Sequence, residues 1–178
     1  MKKLQSVEDI DRIIRQHLIE QSELDGEFVR NASSEYGIDL DKPDSDSVFV
    51  SIAPTDLVLL FEVEAQDSDD DVSETNDNNE IDYYKSYRVQ CIIYGDEACT
   101  LANKLCGRFR TEYVRQSLRS DGIYFRSAGN IVTVHEFKNN VKWLRTDFEL
   151  NIACKMAIPI VVLDDDYDEL GTVKLIET

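Results

Sequence analysis

Residues 144–156 read Leu-Arg-Thr-Asp-Phe-Glu-Leu-Asn-Ile-Ala-Cys-Lys-Met, and this stretch decides the fold class. Apolar or uncharged side chains occupy every second position: Leu144, Thr146, Phe148, Leu150, Ile152, Cys154 and Met156. The positions between them are mostly charged or polar: Arg145, Asp147, Glu149, Asn151 and Lys155. Successive side chains of a strand point to opposite faces. Strict alternation therefore predicts an antiparallel strand with one covered face and one solvated or partner-facing side.

Further strands are predicted on the N-terminal side of this stretch. Residues 48–52 are short and β-branched, and residues 57–65 alternate through Leu57, Leu59, Phe61, Val63 and Ala65. Residues 83–94 form a third strand, which ends before Gly95. Its two faces are Tyr87, Val89, Cys91 and Ile93 on one side, and Arg88 and Gln90 on the other. Two shorter strands, residues 123–125 and 131–134, follow the turn signal Asp121-Gly122.

Two amphipathic helices are predicted. Ser6 and Asp9 resemble a capping box at the start of a helix over residues 7–24. Val7, Ile10, Ile13, Ile14 and Leu18 recur at helical spacing there, and His17 is expected to pack at the edge of the core. Asp96 is expected to cap the second helix, where Ala98, Ala102, Leu105, Phe109 and Tyr113 form one apolar stripe. If that helix continues to Arg119, then Lys104, Arg108, Arg115 and Arg119 project beside the stripe as one basic face.

These elements predict an α+β fold, with a mostly antiparallel sheet, two main helices packed on it, an acidic hairpin or loop insertion and a C-terminal arm. Residues 1–158 are expected to form one domain, with a long connection over residues 25–46 and the acidic insertion at about 66–82. Residues 159–178 are expected to form a C-terminal hairpin or arm. A chain of 178 residues that is 42% hydrophobic has enough apolar material for one core.

Charge is distributed unevenly along the chain. The formal net charge is −17, yet residues 83–145 carry eleven Lys/Arg and five Asp/Glu. The acidic excess is concentrated in residues 62–82, which contain ten Asp/Glu and no basic residue. This balance disfavours a protein that binds nucleic-acid phosphates. Segregated charge instead suits a head-to-tail contact between copies. The interface candidates are Lys104, Arg108, Arg115 and Arg145 on the basic side, and Asp69, Asp70 and Asp71 on the acidic side.

The sequence contains little that supports catalysis or metal binding. His17 and His135 lie in different elements, and the sequence contains no P-loop, GxSxG, GxGxxG or HExxH motif. Paired carboxylates of a nuclease or glycosidase stay open as an alternative, but we expect no enzyme and no cofactor. Asp67, Asp69 and Asp71 alternate as in an EF-hand loop, but Val72 stands where that loop needs glycine. Asn78 stands where the loop needs a bidentate glutamate.

The spacing of the four cysteines predicts reduced thiols, and the shortness of the apolar runs predicts a soluble protein. Cys91, Cys99, Cys106 and Cys154 include no CxxC pair, and we expect four reduced structural thiols in buried strands or helices. No apolar run approaches the roughly 20 residues of a membrane span. The chain starts with a polar amphipathic segment and not with a signal-peptide core, so we expect it to stay in a cytoplasm.

Residues 88–150 contain an ordered series of short motifs. The series begins with Arg88-Val-Gln-Cys-Ile-Ile-Tyr94-Gly95, a strand that ends in Tyr-Gly. A helix follows with Ala98, Leu101-Ala102, Leu105 and Phe109-Arg110, then Gly122-Ile123, and then Arg145 leading into Asp147, Phe148 and Leu150. This series resembles the neck or tail-terminator proteins of long-tailed bacteriophages. The resemblance covers residues 83–156 well and the N-terminal elements more loosely. The acidic stretch 67–79 and the arm after Pro159 do not match the pattern.

The resemblance implies a structural virion protein that assembles as a ring, usually of six copies, at the head-proximal end of the tail. Such a protein ends tail-tube polymerisation and joins the tube to the head connector, while DNA passes through the lumen without specific binding. The implied partners are further copies of the chain, the tail tube protein and the connector, with no membrane. The implied location is the virion neck, and the host cytoplasm during assembly. The alternative is an acidic, DNA-mimicking interaction or immunity module that binds a basic partner protein.

Overall fold

The computed structural model describes residues 4, 6–32, 53, 55–66, 73–75, 80–138 and 140–159. Within these residues, seven strands form one sheet and three α-helices pack on it. The helices are α1 Val7–Ser22, α2 Ala98–Phe109 and α3 Glu112–Ser120. The strands are β1 Val29–Asn31, β2 Val58–Ala65, β3 Ser73–Thr75, β4 Glu80–Tyr94, β5 Ile123–Ala128, β6 Val132–Lys138 and β7 Val141–Pro159. The predicted α+β class and the mostly antiparallel sheet are confirmed.

The two longest strands, β4 and β7, form the centre of the sheet. They pair antiparallel from Glu80 opposite Pro159 to Tyr94 opposite Arg145. Two shorter strands lie end to end along the outer side of each: β2 and β3 beside β4, and β6 and β5 beside β7. Among the described strands, β1 alone pairs parallel, along β2. Because β7 is longer than its pairing with β4, its first residues and β6 continue beyond the end of β4 as a hairpin.

The helices cover one face of the sheet, as the alternation of β7 predicts. Its apolar residues Phe148, Leu150, Ile152 and Cys154 lie in one buried cluster. The same cluster contains Tyr87, Val89, Cys91 and Ile93 of β4, and Ile10, Ile14, Leu18, Ala102, Leu105, Phe109 and Leu118 of the helices. Ser6 caps α1, since its Oγ accepts a hydrogen bond from the Asp9 backbone amide at 3.3 Å. We call the helices and the strand residues beneath them the helix-covered region.

A smaller apolar cluster lies on the other face of the sheet. It consists of Val58, Leu60, Tyr94 and Trp143. The rings of Tyr94 and Trp143 meet edge to face, with centroids 6.2 Å apart. Tyr94 and Trp143 belong to the side of β4 and β7 that was expected to be solvated or partner-facing. This end of the second face is therefore covered within the described part of the chain.

The prediction of one long second helix was wrong. The chain forms two helices, because Thr111 starts α3: its Oγ1 accepts from the Val114 backbone amide at 3.5 Å. Tyr113 consequently leaves the apolar stripe and is 81% exposed. Arg115 and Arg119 lie on a different helix from Lys104 and Arg108, so the single basic face on one continuous helix is also wrong.

Smaller corrections concern exposure and length. Val7 was predicted on the buried face of the first helix and is 42% exposed, because it is the first residue of α1. The predicted connection over residues 25–46 contains β1, whose three residues are too few to show alternation. Cys99 was expected to be buried and is exposed. The predicted strand 48–52, Asp69, Asp70, Asp71 and the arm after residue 159 lie outside the described residues.

The other three cysteines are buried thiols. Burial raises the pKa of Cys91, and it raises the pKa of Cys154 to about 12. Burial also raises the pKa of Cys106. All three thiols therefore stay protonated at neutral pH and act as small apolar groups of the core.

Candidate assembly interface

Two of the predicted interface residues on α2 are engaged by a carboxylate of the same chain. Lys104 Nζ lies 2.8 Å from Glu23 Oε2, and Arg108 Nη2 lies 2.5 Å from Glu23 Oε1. Arg108 Nη1 also donates to the Gln21 carbonyl oxygen at 2.6 Å. The Lys104 and Arg108 hydrogen bonds lower the pKa of Glu23 from its usual 4.5 to about 2. These contacts join α2 to the C-terminal end of α1, so part of the charge is neutralised within the chain.

Arg115 is engaged in another way. Its guanidinium carbon lies 5.4 Å from the centroid of the Phe125 ring, a cation–π contact between α3 and β5. Phe125 in turn packs against Phe109, with ring centroids 6.2 Å apart. Arg115 Nε is buried and has no hydrogen-bond partner among the described residues. Arg115 thus packs against the helix-covered region and is only partly exposed.

Arg145 lies at the centre of a polar cluster on the second face of the sheet. It donates two hydrogen bonds to Asp147, from Nε and Nη2, each 2.8 Å long. Its Nη1 lies 3.5 Å from Glu136 Oε2, which also accepts a 2.8 Å hydrogen bond from the Tyr94 hydroxyl. The Asp147 hydrogen bonds raise the pKa of Arg145, and burial followed by the Glu136 contact raises that of Tyr94. The cluster joins β4, β6 and β7 at the base of the hairpin that continues beyond β4.

Exposed apolar residues on that hairpin were missed by the sequence analysis. We call residues 132–138 of β6 with residues 141–147 of β7 the exposed hairpin. Val132 is 53% exposed, Val134 is 42% exposed and Phe137 is 72% exposed. The register places Val132 and Val134 beside Asp147 and Arg145, and Phe137 beside Lys142 on the opposite face. Residues on both faces of β6 are therefore open to a partner.

The outer edge of β6 also has unpaired backbone groups among the described residues. The Leu144 carbonyl oxygen accepts from Gly95 N at 3.0 Å, so even-numbered residues near this end of β7 bond toward β4. Odd-numbered residues bond the other way, as the 2.8 Å contact from Gly129 N to the Glu149 carbonyl oxygen shows. In the antiparallel register, the backbone groups of Thr133, His135 and Phe137 then point away from β7. Native proteins usually block such an edge with charge, proline or another element.

A shallow pocket of about 200 Å³ lies between α1 and the turn before β5. His17 is buried there as predicted, and its Nε2 lies 3.2 Å from Asp121 Oδ2, a partner that the sequence did not reveal. The described residues contain no group of three or more His, Cys, Asp or Glu arranged to hold a metal ion. None of the described helices combines the length and the apolar content that crossing a bilayer requires.

Comparison with protein families gives the biological context of this surface. The family described as phage neck terminator protein matches residues 8–177. The chain belongs to the phage neck terminator protein family. The resemblance inferred from the sequence motifs is confirmed. Comparison with curated proteins finds no match to this chain.

Family membership establishes a structural role in the phage neck and a location in the virion. Phage neck terminator proteins associate with other virion components, and the family is not an enzyme family. Of the two functions predicted from the sequence, the family match favours the virion protein over the DNA-mimicking module. The match extends across residues 67–79 and most of the segment after Pro159, the two stretches that did not fit the recognised pattern.

Proposed function

We propose that this chain forms a ring at the head-proximal end of a phage tail, ends polymerisation of the tail tube and joins the tail to the head connector. The observation that carries the proposal is the exposed hairpin, which combines apolar side chains with an unpaired strand edge in the described structure. Apolar surface of this kind on a strand edge is typical of an assembly site. The family match supports the proposal, because it gives the chain a structural role in the phage neck.

Ring closure follows from an asymmetric contact between copies. In a heterologous contact, one surface of a subunit binds a different surface of the next, and the contacts form a ring when the rotation between subunits closes on itself. The basic section, residues 83–145, contains all but the last two residues of the exposed hairpin, and the remaining residues of the chain carry the acidic excess. The proposed partners are further copies of the chain in a ring of six, the tail tube protein and the connector. The proposed assembly takes place in the host cytoplasm, and DNA passes through the lumen without specific binding.

The main test compares two valines with the same exposure. Val134 on the exposed hairpin and Val7 on α1 are each 42% exposed. A Val134→Glu substitution changes an exposed side chain outside the buried core, so the monomer accommodates it, but it adds charge to the apolar surface. Val7→Glu places a carboxylate in the first turn of α1, where the helix dipole favours it.

We expect native mass spectrometry and light scattering to detect rings for the wild-type chain or for its mixture with tail tubes. Electron microscopy of the mixture is expected to show capped tube ends. Val134→Glu is expected to reduce both at least tenfold, whereas Val7→Glu leaves them unchanged. The proposal is wrong if wild type forms neither rings nor caps. The proposed role of the exposed hairpin is contradicted if Val134→Glu and Val7→Glu give the same amounts of rings and capped tube ends.

A second contact, through Lys104, Arg108 and Arg115 against acidic residues such as Asp69, Asp70 and Asp71, is proposed as an addition to the hairpin. Reversing the charge of Lys104 and Arg108 would also disturb their pairs with Glu23. The cleaner variant is Lys104→Gln/Arg108→Gln/Glu23→Gln, which removes the charges of the internal pairs together. Rings of this variant are expected to dissociate at lower salt than wild-type rings. An unchanged salt titration would contradict the second contact.

A further inference from the structure

We propose that the outer edge of β6 binds the C-terminal segment of a neighbouring copy, with residues 160–163 added to the sheet as a strand. This inference rests on the proposed ring, and it names the surface that the exposed hairpin meets. Addition of an extended segment to a free sheet edge uses backbone hydrogen bonds for affinity and side chains for specificity.

The edge of β6 has the size and chemistry for a short apolar strand. The outward backbone groups of Thr133, His135 and Phe137 span five residues, which matches a partner segment of four to five residues. Val134 is exposed on one face of β6 and Phe137 on the other. An added strand with apolar residues on both faces would cover both. Residues 160–163 are Ile160, Val161, Val162 and Leu163, all apolar and mostly β-branched.

The length of β7 favours a neighbouring copy, and not the same chain, as the source of the segment that binds β6. β7 ends at Pro159, whereas its partner for the middle of β6 is Leu144, opposite His135. At about 3.3 Å per residue, the fifteen residue steps from Leu144 to Pro159 span about 50 Å. Pro159, which residues 160–163 follow in the sequence, therefore lies at the opposite end of β7 from the β6 of its own chain. The same segment can meet the β6 of a second subunit placed head to tail.

Charge complementarity supports the same pairing. Residues 160–178 carry six Asp/Glu and one Lys, and an acidic run begins at Asp164, directly after the apolar segment. Residues 123–147, which include β5 and the exposed hairpin, carry four Lys/Arg and two Asp/Glu. Opposite charges beside the added strand would direct the encounter and fix its orientation. A segment with this charge would be repelled by the acidic sections of the neighbouring copy.

Disulfide trapping tests the contact directly. Cys99 is the exposed cysteine, and Cys91, Cys106 and Cys154 are buried, so Cys99→Ser provides a background with low thiol reactivity. One chain carries His135→Cys on β6, and a second chain of different mass carries Val161→Cys, Val162→Cys or Leu163→Cys. Three positions cover the possible registers, since paired strand residues approach to the Cβ distance that a disulfide needs. Val7→Cys replaces His135→Cys in the control mixture.

We expect a covalent dimer of the two different chains in the His135→Cys mixture, and at least tenfold less in the Val7→Cys control. We also expect a chain truncated after Pro159 to keep its circular dichroism spectrum and to form at least tenfold fewer rings than wild type. Rings that persist in the truncated chain, or equal cross-linking in the control, overturn this inference and leave the proposed function standing. A disulfide within one chain of a His135→Cys/Val162→Cys variant also overturns it. Absence of rings and tube caps for wild type overturns the proposed function as well.

Discussion

The helix-covered region and the exposed hairpin both contain residues of β7, but apolar side chains are buried in the first region and exposed in the second. Around Leu150 and Ile152, β7 lies between β4 and β5 and beneath the helices, and these side chains are buried within one chain. Along residues 141–147, β7 pairs with β6, whose Val132, Val134 and Phe137 are exposed, and residues 141–144 of β7 extend beyond the end of β4. One chain therefore buries the apolar side chains of the first region by itself, whereas apolar side chains of the second region stay exposed and available to a partner.

The largest expected effect comes from the same substitution in each region. Phe109 is fully buried, and Phe109→Ala should lower the free energy of unfolding by about 3–5 kcal/mol, because it leaves a cavity beside Phe125. Phe137 is 72% exposed, and Phe137→Ala should change the unfolding free energy of the monomer by less than about 0.5 kcal/mol. Urea unfolding followed by circular dichroism measures both. Equal losses for the two variants would erase the distinction between the regions.

An intermediate effect is expected where the two regions meet. Tyr94 ends β4 and donates a 2.8 Å hydrogen bond to the Glu136 carboxylate of the exposed hairpin. Tyr94→Phe removes this bond to a charged acceptor and should lower the free energy of unfolding by about 1.5–3 kcal/mol. Tyr113→Phe is the matched control, since Tyr113 is highly exposed, and should have no measurable effect. If Tyr94→Phe is as stable as wild type, the hydrogen bond does not fasten the hairpin to the rest of the sheet.

The smallest expected effect concerns a carboxylate of the helix-covered region. Burial raises the pKa of Asp11 from 3.8 to about 6 against an opposing hydrogen bond from Asn31, while Glu8 and Glu62 raise it further. Because the folded state holds the proton more tightly, the free energy of unfolding should decrease as pH rises from about 4 through 6. Asp11→Asn removes this penalty and should stabilise the protein at pH 7 by about 1 kcal/mol, after allowance for solvent screening.

Thermal unfolding at pH 4 and pH 7 checks the Asp11 prediction. The gain from Asp11→Asn should be present at pH 7 and nearly absent at pH 4, where Asp11 is protonated in the folded state. Glu23 provides the contrast, because its lowered pKa gives stability that is lost only as pH falls from 4.5 through about 2. A gain for Asp11→Asn that is the same at both pH values would show that charge is not its cause.

Local patterns predicted most elements but not where the second helix is divided. Ser6 and the spacing of Ile10, Ile14 and Leu18 predicted α1, because capping and helical periodicity depend on near neighbours in sequence. Thr111 followed by Glu112 was a capping signal within a continuous apolar pattern, and it was missed. That one residue separates Arg115 from Lys104 and Arg108, which accounts for the incorrect basic face.

The contacts of the candidate site depended on residues far apart in sequence. Lys104 and Arg108 meet Glu23, more than 80 residues away, and no local pattern indicates that pairing. Arg145 was recognised as a candidate, but its partner Glu136 and the Tyr94 hydroxyl come from two other strands. The sequence of β6 predicted only an ordinary short strand. Whether its apolar residues are exposed depends on which strands lie beside it, and a local sequence pattern does not show this.

By itself, the sequence determined the α+β class, the alternation of β4 and β7, the first helix and the family, since these depend on residue periodicity and on the order of short motifs. Only the tertiary structure decided which charges are neutralised within the chain and which apolar residues stay exposed. The physical reason is that Coulombic contacts and burial depend on distances in space. The alternation of β7 is nearly continuous, but β4 ends at Tyr94, and beyond that point the same pattern belongs to a hairpin edge and not to a closed sheet.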